Sequence, residues 1–174
     1  MANRQPVTKV EIPADSKIAD SIDRIEYSDA YAKEIAGADI DTILKSIFLD
    51  APQWIGVLAK LRDQAVSIFA LKPCILEPGQ LKAQKSFKVG DRLGIFRIRA
   101  KNNQEIVMGE NDKHLDFCVS LHLCPILESA MDSHRQTVTL STVVRFNTLF
   151  GRVYFAVIKP FHKIIVQTLL ERLS

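Results

Sequence analysis

The sequence predicts an α+β fold: a curved antiparallel sheet covered by a long C-terminal helix, with two shorter helices after the first strand. Three observations lead there. From Leu93 onward the apolar residues recur every second position through several segments, the period of half-buried strands. Between residues 39 and 72 they recur at helical spacing instead. After Thr148 a long, mostly apolar stretch returns to helical spacing and supplies a cover for the sheet.

Residues 1–22 are polar, carry Pro6 and Pro13, and read as a flexible N-terminal arm; residues 23–174 read as one domain. In Arg24–Ile35, Tyr27, Asp29 and Tyr31 alternate with Ser28 and Ala30, which predicts the first strand. Gly37–Asp41 makes a turn in which Asp39 or Asp41 caps a helix. That helix places Ile40, Ile43, Leu44 and Ile47 on one face. Pro52 suits the first turn of a second helix, along which Trp54, Ile55, Leu58, Leu61, Ala65 and Ile68 follow one another. Residues 73–92 form a long connection.

The strands follow. LGIFRIRAK sets Phe96, Ile98 and Ala100 against Ile95, Arg97 and Arg99, and the NNQ at 102–104 turns the chain into EIVMGE. HLDFCVSLHL alternates Leu115, Phe117, Val119, Leu121 and Leu123 with His114, Asp116, Cys118, Ser120 and His122. TVTLSTVVRFN gathers Val138, Leu140, Thr142, Val144 and Phe146 on one face.

The last stretch, GRVYFAVIKPFHKIIVQTLL, raises the question of a membrane span. Its uninterrupted apolar run, Val153–Ile158, is only 6 residues long. Lys159 and Lys163 would each cost about 2.5–3.5 kcal/mol at the bilayer centre. The reading is therefore no transmembrane segment, but a helix that packs on its own sheet, with a kink at Pro160.

A length of 174 residues, with 47% hydrophobic and 25% charged residues, is that of a single globular domain. A net charge of +3 does not point to nucleic acid. The basic run from Lys82 to Lys101 has only Phe87 and Phe96 as aromatics, and Phe96 is read as core; a solvated sheet edge protected by lysine is the better account, and no nucleic-acid partner is expected. Three cysteines without a C-x-x-C pair argue against a disulfide framework or zinc knuckle and fit a reducing, cytoplasmic setting. No secretory h-region opens the sequence, and there is no P-loop, H-E-x-x-H or G-x-G-x-x-G, so no cofactor is expected.

Three segments carry a resemblance: PQWIGVLAKLRD, KVGDRLGIFRI with EIVMGENDKHLDF, and TVVRFNTLFGRVYFAVIKPFHKIIV. Within them, G-x-x-x-G-x-F-x-I, DKHLDF and R-x-N-x-x-x-G-R-x-Y followed by K-P-F-H are the specific motifs. Across Ser28–Leu173 the chain resembles an uncharacterised bacterial family, known as a domain of unknown function and sometimes fused to NAD(P)-binding short-chain reductase-like domains. The order of elements is similar to the START-like (SRPBCC, helix-grip) superfamily. That resemblance implies a cavity between sheet and C-terminal helix, taking a small apolar or amphipathic molecule as partner.

The residues expected to line such a cavity are Trp54, Leu58, Phe96, Met108, Phe117, Leu140, Val144, Tyr154, Val157 and Phe161. Each is equally a core residue by type. A cyclase- or hydratase-type enzyme would need an ionisable group beside them, and His162, Arg145 and Asp112 are the candidates. An interaction domain with a filled core is the third reading. His114, Asp116, Cys118 and His122 share a strand face, but successive same-face positions lie about 6.8 Å apart, too far for one ion. No metal site is expected there; a solvated face, with Asp116 paired to Arg97, Arg99 or Arg145, is the simpler account.

Overall fold

In a computed structural model, residues 5–49, 52–57, 86–126 and 135–173 are described. Seven antiparallel strands form one curved sheet: β1 (Thr8–Val10), β2 (Tyr27–Ala36), β3 (Arg92–Leu93), β4 (Phe96–Lys101), β5 (Glu105–Asn111), β6 (Leu115–Pro125) and β7 (Arg135–Phe146), in spatial order β1-β2-β7-β6-β5-β4-β3. Helix α1 spans Ile40–Leu49, residues 53–57 are also helical, and helix α2 spans Leu149–Glu171. The predicted α+β architecture is the observed one, with β1 and the two-residue β3 added at the sheet edges.

Local chemistry accounts for the element ends. Asp39 caps α1: its carboxylate accepts from the Thr42 amide at 3.0 Å and the Thr42 hydroxyl at 2.5 Å. Asp41 has another task. It accepts two hydrogen bonds from Lys101 Nζ, at 2.6 and 2.8 Å, and one from the Phe87 amide at 3.1 Å, which fastens α1 to β4. Thr148 caps α2 through the Gly151 amide at 3.1 Å.

The concave face carries the main core. Ile40, Ile43, Leu44 and Ile47 of α1 pack with Tyr31, Ile35, Ile98, Ile106, Met108, Leu121, Val138 and Leu140 of the sheet and with Val166 and Leu170 of α2. Fully burying one such side chain contributes about 1.5–3 kcal/mol, so this layer dominates the hydrophobic term. A β-bulge between Ile98 and Ala100 shifts the phase of β4, so Ile98 faces this core while Ala100 packs on the other side of the sheet. Strict alternation through LGIFRIRAK predicted one face for both.

The stretch before β2 is docked along the sheet, more closely than its composition suggested. Residues 8–10 pair with β2, and Ile18 and Ile22 pack with Val107, Cys118 and Val143 on the convex face. The expected solvated face of HLDFCVSLHL is therefore corrected: Cys118, Ser120 and His122 are buried beneath this segment. Glu105 holds it down. Its buried carboxylate accepts from Ser16 Oγ at 2.5 Å, Ser120 Oγ at 2.6 Å and the Lys17 amide at 3.0 Å. Glu105→Ala strands three donors and should lower unfolding free energy by about 3 kcal/mol, with Glu105→Gln costing less. Urea titration measures the loss. Limited proteolysis should show earlier cleavage within residues 8–22, and an unchanged digestion pattern would contradict this tether.

Helix α2 runs over β2 and β7. Gly151, Phe155, Val166 and Leu170 are its buried residues. At its far end the Lys33 ammonium, buried on β2, donates to the carbonyl of Glu171 at 3.0 Å and to that of Leu173. A cation at the C-terminal end of a helix also meets the negative pole of its dipole. Among the described residues α2 is the helix long and apolar enough to cross a membrane, by length and composition.

Candidate functional site

A polar cluster sits under α2, on the concave face of β2. In this strand Tyr27, Asp29, Tyr31, Lys33 and Ile35 point the same way, because side chains alternate. Asp29 is almost wholly buried. Tyr27 Oη donates to Asp29 Oδ2 at 2.5 Å, and His162 Nε2, from α2, lies 3.3 Å from Asp29 Oδ1. Thr142, directly opposite Asp29 on β7, adds a buried hydroxyl to the same spot.

The electrostatics follow from this packing. Burial pushes the Asp29 carboxyl up, but the hydrogen bonds of His162 and Tyr27 and the charge of His162 outweigh it and hold the group below its ordinary value. Burial, with the Asp29 carboxylate beside it, pushes the Tyr27 phenol up. Asp29 is thus an anion at neutral pH, and its Oδ1 fixes Nε2 of the His162 ring as the hydrogen-bonded nitrogen. Phe155 brackets the imidazole, with ring centroids 6.5 Å apart. Lys159, one turn before His162, lies 4.8 Å over the Tyr27 ring.

Strand register extends this cluster across the sheet. One row runs Asp29, Thr142, Val119, Met108 and Ile98; the next runs Tyr27, Val144 and Phe117. Val119 and Phe117 are half-buried, as are Phe96 and Tyr154. Phe96 meets Phe117 edge-on at 5.6 Å and Phe48 of α1 at 5.8 Å. An ion-pairable carboxylate and imidazole therefore border a half-covered aromatic surface. That arrangement can hold one polar group and one apolar body.

The expected site residues divide. Phe96, Met108 and Leu140 pack in or against the main core, and Phe117, Val144 and Tyr154 gather around Phe155. His162 joins Asp29. Leu58 lies outside the described residues. Trp54 is exposed, and Val157 and Phe161, expected toward the sheet, are turned to the opposite side of α2. Arg145 lies 3.3 Å from Asp23, away from the cluster. It faces Asp116 across the β6–β7 ladder, but Asp116 accepts from Asn147 Nδ2 at 3.0 Å and the Asp112 amide at 3.1 Å. Asp112 serves the β5–β6 turn, accepting from the His114 amide at 3.3 Å. Burial raises the Cys118 thiol above its ordinary value, which disfavours a thiolate. No group of three or more His, Cys, Asp or Glu among the described residues is placed to hold a metal ion.

Asp29, Tyr27 and Thr142 were not among the expected site residues. A signal for Asp29 was present: it is the one acid at the parity of Tyr27, Tyr31, Lys33 and Ile35, in a row that is otherwise aromatic or aliphatic apart from Lys33.

Residues 21–169 match the family described as "Protein of unknown function (DUF2867)". The chain belongs to the DUF2867 family. The match takes in β2 through most of α2, including the Asp29–His162 cluster, and leaves β1 outside. No curated protein and no solved structure matches the chain.

Proposed function

We propose that this DUF2867 protein binds a small amphipathic molecule on the concave face of its sheet, beside α2. The polar end sits at Asp29 and His162; the apolar end lies over Phe96, Phe117, Val119 and Tyr154. The observation that carries this reading is a buried carboxylate, already charged and already holding an imidazole, at the edge of a half-covered aromatic surface. Apolar burial would supply roughly 25 cal/mol per Å² before the costs of association, and the imidazole would select for a hydrogen-bonding headgroup. The resemblance to START-like proteins, which enclose ligands between sheet and C-terminal helix, points the same way.

Native mass spectrometry of the purified protein, followed by extraction, tests it. A retained compound at one-to-one stoichiometry, released by Phe117→Ala, is the expected result. A bare mass together with no thermal shift across a lipid and metabolite panel would favour a filled-core interaction domain.

The Asp29–His162 pair favours one second reading, acid–base catalysis on the same ligand. A carboxylate that orients one ring nitrogen leaves the other free to take or give a proton. Turnover of the retained compound that disappears in His162→Ala even at saturating compound would establish it; turnover that persists would remove His162 from that role.

A further inference from the structure

Helix α2 is apolar on two sides, and the sheet uses only one of them. Leu149, Val153, Val157, Phe161 and Ile164 recur at steps of four, four, four and three, one face of a helix, and all are between 47% and 77% exposed. This stripe is about 22 Å long at 1.5 Å per residue. Ala156 and Pro160 on the same side are exposed and add no charge. Arg152, Lys159 and Lys163 project along one flank, 100° per residue placing them 80° or less from one edge of the stripe. From Leu149 to Leu170 the helix contains no carboxylate.

We propose that the outer face of α2 seats the protein on an anionic phospholipid membrane surface, lying in the interface without crossing it. The charge pattern selects this occupant. A second copy of the helix would bring three more cations to the contact and no helix carboxylate to meet them, so pairing of like faces is repulsive. A nucleic acid would leave the aliphatic stripe in water. A bilayer of acidic phospholipid answers both features: the stripe enters the acyl boundary while basic side chains extend their ends to the headgroups. Crossing is opposed by the other side of the helix, where Phe155, His162, Val166 and Leu170 are bound to the sheet and its Asp29. Two of the basic side chains are lightly engaged: Arg152 is exposed and 2.7 Å from Glu26, and Lys159 lies over Tyr27. Arg152 can turn to a phosphate at little cost, since exposed ion pairs are weak; for Lys159 the exchange gives up a cation–π contact, worth about 0.5–1 kcal/mol near the surface. The apolar stripe lies on the side of α2 away from the concave-face site, and Lys159, over Tyr27, is the residue that borders both.

Co-sedimentation of the full chain with phosphatidylcholine vesicles, with and without phosphatidylserine, tests the proposal. The expected result is sedimentation with the mixed vesicles, little with phosphatidylcholine alone, and release by added salt. Lys163→Ala should weaken binding about fivefold, and Val157→Asp with Phe161→Asp should abolish it. Both substitutions fall on the helix side that faces away from the core, and circular dichroism with thermal melting checks that the fold is kept. Absence of sedimentation, equal binding to both vesicle types, or a folded aspartate variant that still binds would overturn it. So would a dimer in size-exclusion chromatography that the aspartate variant dissolves.

Discussion

Gly151→Ala should destabilise the protein by about 3 kcal/mol, although alanine ordinarily favours a helix over glycine by about 0.5–1 kcal/mol. The sign reverses because of what lies against this turn. A Cβ at Gly151 would stand 2.0 Å from the carbonyl oxygen of His114 and 2.8 Å from its carbon. That carbonyl cannot swing aside, because it accepts from the Asn147 amide at 2.9 Å and the Thr148 amide at 3.2 Å. The Thr148 hydroxyl adds a third tie, 3.1 Å from His114 Nδ1, while capping α2 at the Gly151 amide. Relieving the clash means lifting the first turn of α2 from the β5–β6 turn, with Phe155 following. Gly56 supplies the control. It lies in the helical residues 53–57 with open space around a built Cβ, so Gly56→Ala should be neutral or stabilising by about 0.5 kcal/mol. Urea titration of both variants decides the matter. Equal effects would mean that helix propensity, not the close approach, governs position 151.

This glycine also gives a physical reason for part of the motif R-x-N-x-x-x-G-R. Asn147 reaches the Asp112 carbonyl and the Asp116 carboxylate, at 2.9 and 3.0 Å, and Gly151 lets the helix settle on His114. Arg152 then reaches Glu26, which also accepts from the Phe146 amide at 2.8 Å. The motif is a clamp between the end of β7, the β5–β6 turn and α2. Its DKHLDF counterpart supplies the other jaw. The R-x-N-x-x-x-G-R and DKHLDF segments are accounted for by this clamp; Asp29 and His162, the latter in K-P-F-H, lie outside it.

Periodicity exposed what depends on one element at a time. The buried face of α1, the hairpin of β4 and β5, and the inward row of β6 are all visible as spacing, because each sets a regular apolar row against the main core. Three features are not, and each involves a partner distant in sequence. Cys118, Ser120 and His122 look like a wet face until residues 12–22 cover them, and nothing local in a polar, proline-containing stretch announces that docking. The bulge after Ile98 reverses a face without leaving a glycine or proline to mark it. In α2 the positions 155, 162, 166 and 170 and the positions 149, 153, 157, 161 and 164 both satisfy helical spacing. A wheel cannot tell which apolar stripe meets the sheet, so Val157 and Phe161 were expected on the wrong side of it. His162 was legible as a candidate because Pro160 and Lys163 set it in a polar interruption; its partner on β2 lies 133 residues away.

Asp29→Ala should cost about 3 kcal/mol at neutral pH, and Asp29→Asn less. In the alanine variant the His162 and Tyr27 donors lose a charged acceptor inside a site ringed by Phe155, Phe146 and Val144. The asparagine variant keeps an acceptor oxygen but no charge. The dependence on pH separates charge from packing. The folded-state pKa of Asp29 is lowered, so its ionised form is favoured by folding. That contribution is present above the unfolded carboxylate value, about 3.9, and disappears as pH falls through the lower folded value. The stability gap between the wild-type chain and Asp29→Asn should therefore be widest near neutral pH and shrink on acidification below about pH 4. Other carboxylates with lowered values, Glu26, Asp39 and Asp41, weaken both proteins in acid and cancel in the difference. Urea titrations of the two proteins across that range give the gap directly. A gap that stays constant would assign Asp29 a packing role and remove the charge from the site. If the gap closes as expected, the same variant becomes the probe for the retained ligand: loss of the carboxylate should release a headgroup held through His162, and leave a purely apolar ligand bound.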